Sequence, residues 1–573
     1  MMKAEDGPGG AARAFTKHDV SGGVHLERGP NSAPADSTDL RSEDLEQPMY
    51  PRSFESSADV SNLSKRAPWW SRWRTSGSWQ KVSTSEKEPS PQARGPHGPS
   101  RGSKLLASVA GASVIVNLVL LMLLLVASGL WHVTSGGGIA LLGSWAVDEA
   151  STVLAAESFV CSGRGVRYAD TTGDGCECDQ CYHGLDCSEL MSNCSVDLSS
   201  GTPTLFQDYW TANLEASAAF IPGNFRLGYS DGNLEGLESA VRKLHATVGN
   251  VNMDGRQLVM SAGSTQMIFG LLYAISAVNR ENGFQGKTAV TSAPPYYNLY
   301  SYGTKMESSE LFEWRAYADV INASAPSINF VVSPNNPDGR LGDPEFPPPS
   351  VAIHDFAYYW PHFTAITAEA DYDVMLFTLS KVSGHAGSRV GWVWLRDARL
   401  AEVLRLYLMI HSITMSHESQ YRAIKLISAI TDGYASAAER TASLTGFTPQ
   451  AAAAEGRLFH FAKLVMQNRW DRLHSVLGTT GTDSQTRVTI QALPPAASCG
   501  FFQQTVTPSP AYAYLHCRLA TDPDCFELLR ANGIVGRPGV VFGGDSSFVR
   551  LSLLGRESDF VLTLERLKTI AES

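Results

Sequence analysis

The feature that most constrains this chain is the run from Leu105 to Trp131, which holds no charged residue and one polar amide, Asn117. About 20 apolar residues at 1.5 Å rise per residue cross a bilayer core, and a helix inside a soluble protein is rarely apolar on every face. The run starts too late and extends too far for the hydrophobic region of a cleaved signal peptide. Residues 105–131 are therefore expected to be an uncleaved transmembrane signal anchor. Arg94, Arg101 and Lys104 precede the run, whereas the 16 residues after it contain no Lys or Arg and the first charges are Asp148 and Glu149. By the positive-inside rule, residues 1–103 lie in the cytosol and everything past the span is lumenal or external. The expected localisation is a single-pass membrane protein of the secretory pathway, in the endoplasmic reticulum.

Residues 1–103 are rich in Ser, Pro, Gly and charge and show no sustained hydrophobic period, so a disordered tail is expected. Within it, Trp69, Trp70, Trp73 and Trp79 are interleaved with Lys65, Arg66, Arg72, Arg74 and Lys81. Such a cluster could lie at a membrane interface, but a sticky disordered tail is the favoured reading. The net charge of −11 excludes the basic footprint of a nucleic-acid partner.

Past a linker at 132–158, six of the nine cysteines crowd into the stretch from Cys161 to Cys194. The segment 159–195 has many Gly and Asp turn residues and almost no aliphatic core, which suits a small module held by covalent bridges. A zinc site is the alternative for its CxC and CxxC spacings, but a lumenal compartment favours disulfides, and no metal is expected. The same compartment exposes two glycosylation sequons, at Asn193 and Asn322.

From Ser200 the pattern becomes alternating strand-like and helix-like segments, which argues an α/β fold with a mainly parallel sheet. LVMSAGSTQMIFGLL reads as a strand, a turn and a helix start, where Ser264 and Thr265 can offer N–H groups and hydroxyls to an anion or simply cap the helix. MLFTLSKVSGHAGSRVGWVWL brings a strand into Lys381, with Arg389 following a Gly-rich turn. A lysine there is usually a solvated strand-end residue, but a strand end facing a cleft can desolvate it into a nucleophile, and Thr378, Ser380 and Arg389 beside it could then hold a phosphate. FVVSPNNPDG and VAIHDFAYYWPHFT each end a strand in polar residues, where open parallel sheets bind ligands. Asp355 there is either a strand-end cap or the partner of a protonated ring nitrogen.

Taken together, SGTPTLFQDYW, GSTQ, APPYYNLY, SPNNPDG, DFAYYWPHFT, LFTLSKVSGHAGSRVGW, SHESQYRAIKLI and FVRLSLL resemble, in order, the alliinase and tryptophan-aminotransferase-related family. The cysteine-rich module similarly resembles the EGF-like module at the front of those proteins. The resemblance covers the module and residues 200–573. It implies a fold-type I pyridoxal-phosphate (PLP) transferase, with a large domain on a mainly parallel sheet and a smaller α+β domain.

By the resemblance Lys381 is the Schiff-base lysine and the acid/base at the substrate Cα. Asp355 pairs with the pyridine nitrogen, Asn336 and Tyr358 bond the ring's 3-oxygen, and Tyr297 stacks on the ring. Ser264, Thr265, Thr378, Ser380 and Arg389 hold the phosphate. Arg550 clamps the substrate carboxylate, with Ser200, Gly201 and Tyr229 at the substrate mouth. The family also implies bridges Cys161–Cys176, Cys178–Cys187, Cys181–Cys194 and Cys517–Cys525, an unpaired Cys499, and a homodimer.

The resemblance implies one of two reactions. One is transfer of an amino group from L-tryptophan, or a related aromatic amino acid, to a 2-oxo acid, as in auxin biosynthesis. The other is carbon–sulfur cleavage of S-alkyl-cysteine sulfoxides. GSTQ, NNPDG and GHAGSR lean towards the aminotransferase. A third possibility, an anchored binding module with a degenerate core, finds little support because every expected cofactor contact keeps a competent residue.

Overall fold

The computed structural model describes residues 161–572, apart from 163, 171–172, 230–231, 322–323, 343–345, 347, 436–443, 480–485 and 519–523. The expected tail, anchor and linker, and the sequon asparagine at 322, lie outside the described residues. Among the described residues no helix is long and apolar enough to cross a membrane.

The cysteine-rich module opens with an antiparallel hairpin, β1 (Gly165–Asp170) and β2 (Gly173–Cys178). It is closed by the bridges Cys161–Cys176, Cys178–Cys187 and Cys181–Cys194, the pairing expected from the family. Next comes β3 (Val196–Asp197), then helix α1 (Leu237–Val248), whose left-handed flanking glycines, Gly236 and Gly249, mark its ends.

The large sheet is built from β4 (Gln257–Ser261), β5 (Thr288–Ser292), β6 (Phe312–Trp314), β7 (Ser327–Val332), β8 (Val351–Asp355), β9 (Val374–Thr378) and β10 (Gly391–Leu395). Their order across the sheet is β4-β10-β9-β8-β7-β5-β6. All neighbours run parallel except β10, which is antiparallel to both β9 and β4, with Gly391 opposite Thr378 on one side and Ser261 on the other. Every residue of β7, β9 and β10 is buried, the signature of strands covered on both faces.

Helix α2 (Gly263–Glu281) follows β4 and buries Met267, Ile268, Leu271, Leu272 and Ile275 at helical spacing. It packs on a later helix, Ala398–Ser412, so closely at Gly270 that a Cβ there would lie 2.7 Å from Leu404 Cδ1. Helix α3 (Leu299–Glu307) follows β5, and the single-turn α4 (Leu379–Val382) follows β9.

A second, five-stranded sheet lies further along the chain: β11 (Gly478–Thr479), β12 (Val488–Ile490), β13 (Tyr512–Cys517), β15 (Arg537–Pro538) and β16 (Phe548–Ser552), in the order β11-β12-β13-β16-β15. Between β13 and β15, the short β14 (Ile534–Val535) pairs in parallel with β3, and so fastens the chain just past the cysteine-rich module to its C-terminal part. The bridge Cys517–Cys525 ties the end of β13 to the next helix, and Cys499 is buried and unpaired. The architecture is the expected α/β body with a mainly parallel large sheet and a smaller mixed layer.

Candidate active site

The site is assembled at the carboxyl ends of β8 and β9, where the small sheet meets the large one. β9 ends at Thr378, whose hydroxyl caps α4 by accepting the Ser380 N–H at 3.2 Å. That turn presents Lys381, whose Nζ donates to the Gly201 carbonyl at 2.5 Å. Burial holds the Lys381 amine below its usual range; Arg550 and Arg389 push it the same way, and Tyr512 opposes them.

Asp355 ends β8 with its carboxyl buried, accepting from Tyr300 Oη at 2.7 Å and from the Ala357 N–H at 3.0 Å. Burial raises this carboxyl, and the bonds from Tyr300 and Ala357 pull it back. Tyr300 is fixed by stacking on Phe330, with ring centroids 4.0 Å apart and planes 2° from parallel. Tyr297 meets the edge of Tyr300 at 5.5 Å.

Arg550, on β16, is buried and reaches in from the small sheet. Its Nη1 donates to Asn336 Oδ1 at 2.9 Å and its Nη2 to the Ser199 carbonyl at 2.5 Å. Its guanidinium lies 4.1 Å from the Tyr512 ring centroid, and Nε is a buried donor without a hydrogen-bond partner. Tyr358 and Tyr512 share a hydrogen bond of 2.8 Å between their hydroxyls. Burial alone would raise the Tyr512 phenol, but the charges of Lys381 and Arg550 outweigh it and hold the group below its usual range, while burial drives Tyr358 well above.

Ser264 and Thr265 occupy the first turn of α2, behind Gly263, whose φ of +83° is one that side chains rarely adopt. The Arg389 guanidinium fills the space a Cβ on Gly263 would need, and Arg389 itself takes a left-handed φ of +50°. Gly391 approaches as closely: a Cβ there would lie 2.5 Å from the Ser264 backbone nitrogen. The structure thus brings Ser264, Thr265, Thr378, Ser380 and Arg389 to one rim of the sheet, close to Lys381.

Asn336, Asp355, Tyr297, Tyr358, Arg550 and Gly201 also converge on this region, with Asn336 engaged by Arg550. Ser200 is exposed, its hydroxyl 2.7 Å from that of Thr202. Tyr229 is not brought to the cluster within the chain: it stands 87% exposed on a glycine-flanked loop. Sequence reasoning missed Tyr300, Tyr512 and the Ser199 carbonyl. For Tyr300 a signal existed, because it sits three residues beyond Tyr297 at the start of α3, where such spacing shares a face.

These residues fit pyridoxal phosphate. The enclosed Lys381 amine suits an aldehyde, Asp355 is a buried carboxylate suited to a protonated ring nitrogen, and the Gly263 turn with Arg389 and the α2 N-terminus is a cradle for a phosphate.

A family model described as "Allinase" matches residues 196–571, and one described as "Alliinase EGF-like domain" matches residues 144–194. Tryptophan aminotransferase-related protein 3 of Arabidopsis thaliana is 34% identical over 443 residues, covering 74% of this chain and 90% of that protein. Tryptophan aminotransferase-related protein 4 of the same plant is 32% identical, covering 80% and 95%. An alliin lyase of Allium cepa var. aggregatum is 33% identical over 442 residues, covering 75% and 94%. The chain belongs to the alliinase family, and is a pyridoxal-phosphate-dependent protein.

Proposed function

We propose that this chain is an aminotransferase that moves the α-amino group of L-tryptophan, or a related aromatic L-amino acid, to a 2-oxo acid. The observation that carries amino-acid chemistry on pyridoxal phosphate, common to this reading and the next, is the meeting of a desolvated amine, Lys381, with a buried guanidinium, Arg550, inside a wall of tyrosines. Arg550 binds the substrate carboxylate. A guanidinium has five N–H donors, and two are spent on Asn336 and Ser199, so donors remain for a carboxylate. Bound pyridoxal phosphate supplies an electron sink that makes the substrate Cα–H acidic. Lys381 takes that proton and returns it, because desolvation favours the neutral amine a base needs. Asp355, which accepts from Tyr300, would supply a negative charge for the ring nitrogen, and Asn336 and Tyr358 would serve the 3-oxygen. Tyr297 would cover a ring face, and Ser264, Thr265, Thr378, Ser380 and Arg389 would hold the phosphate.

The second reading, a carbon–sulfur lyase acting on S-alkyl-L-cysteine sulfoxides, uses the same groups, and the similarity to alliin lyases supports it as strongly. The phrases GSTQ, NNPDG and GHAGSR incline the proposal to amino transfer. The disulfide-rich module places the protein in a secretory or extracellular setting. We place the chain on a secretory membrane through residues 105–131, with its catalytic region lumenal. We also propose a homodimer: the outer face of helix Ala398–Ser412 leaves Leu406, Met409 and Ile410 exposed, an apolar surface suited to a second copy.

The test is an assay of the purified protein with added pyridoxal phosphate, comparing L-tryptophan plus pyruvate or 2-oxoglutarate against an S-alkyl-cysteine sulfoxide, with Lys381→Ala as control. Indole-3-pyruvate that disappears in the variant supports the reading; pyruvate and ammonia released from the sulfoxide alone overturn it in favour of the lyase.

A further inference from the structure

The EGF-like module leads into the catalytic region through a short stretch with two unusual duties. Residues 196–201 leave the module's last cysteine, Cys194, and within six residues supply the carbonyls of Ser199 and Gly201, the acceptors for Arg550 and Lys381. The carbonyls on which both side chains rest thus belong to the link that follows the module.

The link is held by the module itself. Gln180, inside the module, grips the backbone of Asp197 from both sides: its Nε2 donates to the Asp197 carbonyl at 3.0 Å, and its Oε1 accepts the Asp197 N–H at 2.6 Å. The Asp197 side chain then accepts the Ser199 N–H at 2.8 Å, which fixes the peptide plane entering Ser199, one bond rotation away from the Ser199 carbonyl. Next to Gln180, Asp179 pairs with Arg556 and accepts from Ser558 Oγ at 2.8 Å, so the module is pinned to the C-terminal part of the catalytic region. From the other edge, β14 holds the link through Val196 N–H to Gly533 and Leu198 N–H to Val535, both at 2.8 Å. Gly201 has no room for a side chain, because a Cβ there would lie 3.1 Å from Lys381 Nζ and still nearer the Tyr512 hydroxyl.

We propose that the EGF-like module is a positioning element of the active site: Gln180 and Asp197 fix the link so that the Ser199 and Gly201 carbonyls hold Arg550 and Lys381 in register. The inference rests on the proposed roles of Arg550 and Lys381. A backbone carbonyl that can wander no longer fixes its donor, and Arg550 then offers a carboxylate a spread of orientations, which weakens binding without removing any group that touches substrate.

The test measures equilibrium binding of amine-free carboxylates, indole-3-propionate with butyrate beside it, to the purified holoenzyme by calorimetry. Gln180→Ala and Asp197→Ala are expected to raise the carboxylate Kd about three- to tenfold, as for the loss of one or two hydrogen bonds. Asp197→Asn, which keeps an acceptor for the Ser199 N–H, restores parental binding, and Leu185→Ala, at an exposed position of the module, leaves it unchanged. Arg550→Lys separates the two levels of argument. If it leaves the Kd unchanged, the functional reading falls and this inference with it. If it weakens binding while Gln180→Ala and Asp197→Ala do not, the inference alone is overturned. A lowered melting temperature with an unchanged Kd also overturns it, since that is what a merely structural contact gives. Should Gln180→Ala fail to fold, Asp197→Ala decides the matter one bond nearer the site.

Discussion

Replacing Tyr300 by phenylalanine isolates the bond that the Asp355 carboxyl accepts from another side chain, leaving the one from the Ala357 N–H. The substitution removes only a hydroxyl, and the ring stays stacked on Phe330 at 4.0 Å, so neither a cavity nor a changed fold confuses the result. A hydrogen bond to a charged group is worth about 1.5–3 kcal/mol, and about 1.4 kcal/mol is a factor of ten in an equilibrium constant. Without the hydroxyl, burial raises the Asp355 carboxyl with only the Ala357 N–H to oppose it. A protonated carboxyl no longer holds a cationic ring nitrogen, so acid should release the cofactor, and from the variant at a less acidic pH than from the parent. The expected result is a pyridoxal-phosphate Kd about tenfold higher in Tyr300→Phe at neutral pH, with the gap widening as pH falls. The assay is cofactor retention on dialysis, followed by absorbance at a series of pH values. A Kd equal to the parent's across that series would refute the assignment of Asp355 to the ring nitrogen.

Further expectations concern the scaffold. His245 is buried, accepts from Trp392 Nε1 through Nε2 and donates to Asn250 through Nδ1, and burial lowers it to about 4. The unfolded chain therefore binds the extra proton first, so this contribution is complete above the ordinary histidine range and is lost as pH falls towards 4, by about 3 kcal/mol in all. The difference in unfolding free energy between parent and His245→Gln, measured against pH, isolates this contribution from those of the buried His362 and the half-buried His385. Gly263→Ala forces a left-handed side-chain residue against Arg389, costing about 1–2 kcal/mol of stability. It should weaken binding of pyridoxal phosphate more than that of unphosphorylated pyridoxal, and equal losses would remove the phosphate assignment. Opening the Cys517–Cys525 bridge by a double Cys→Ala change should cost about 2.5 kcal/mol for a loop of this length, read from denaturant midpoints.

Much of the fold was legible because its strands are short apolar runs that stop at polar residues. MLFTLSK and VAIHD announce where they end, and strand ends are where a parallel sheet exposes chemistry. Lys381, Asp355, Arg389 and the GST turn were therefore readable from local pattern, and the family resemblance supplied Arg550 and the disulfide pairing. Tyr512 was not readable: in YAYLHC tyrosines alternate with small and apolar residues, and period-two alternation does not say which face meets a cleft built by another sheet. Backbone acceptors such as Ser199 and Gly201 leave no mark in side-chain pattern at all. Tyr229 shows the converse, a motif residue whose position in a glycine-flanked loop fixes neither its direction nor its burial.

The reversed strand β10 has a bearing on motion. Because it runs against β9 and β4, its first residue, Gly391, lies beside the last residues of both, Thr378 and Ser261. A parallel strand of five residues would have delivered the preceding Arg389 to the opposite edge, about 17 Å away at 3.3 Å per residue. The residues proposed to hold the phosphate are thereby gathered at the end of one sheet, whereas Arg550 arrives on the other. On those proposed roles, a shift of one sheet against the other would move the carboxylate site and leave the phosphate site undisturbed.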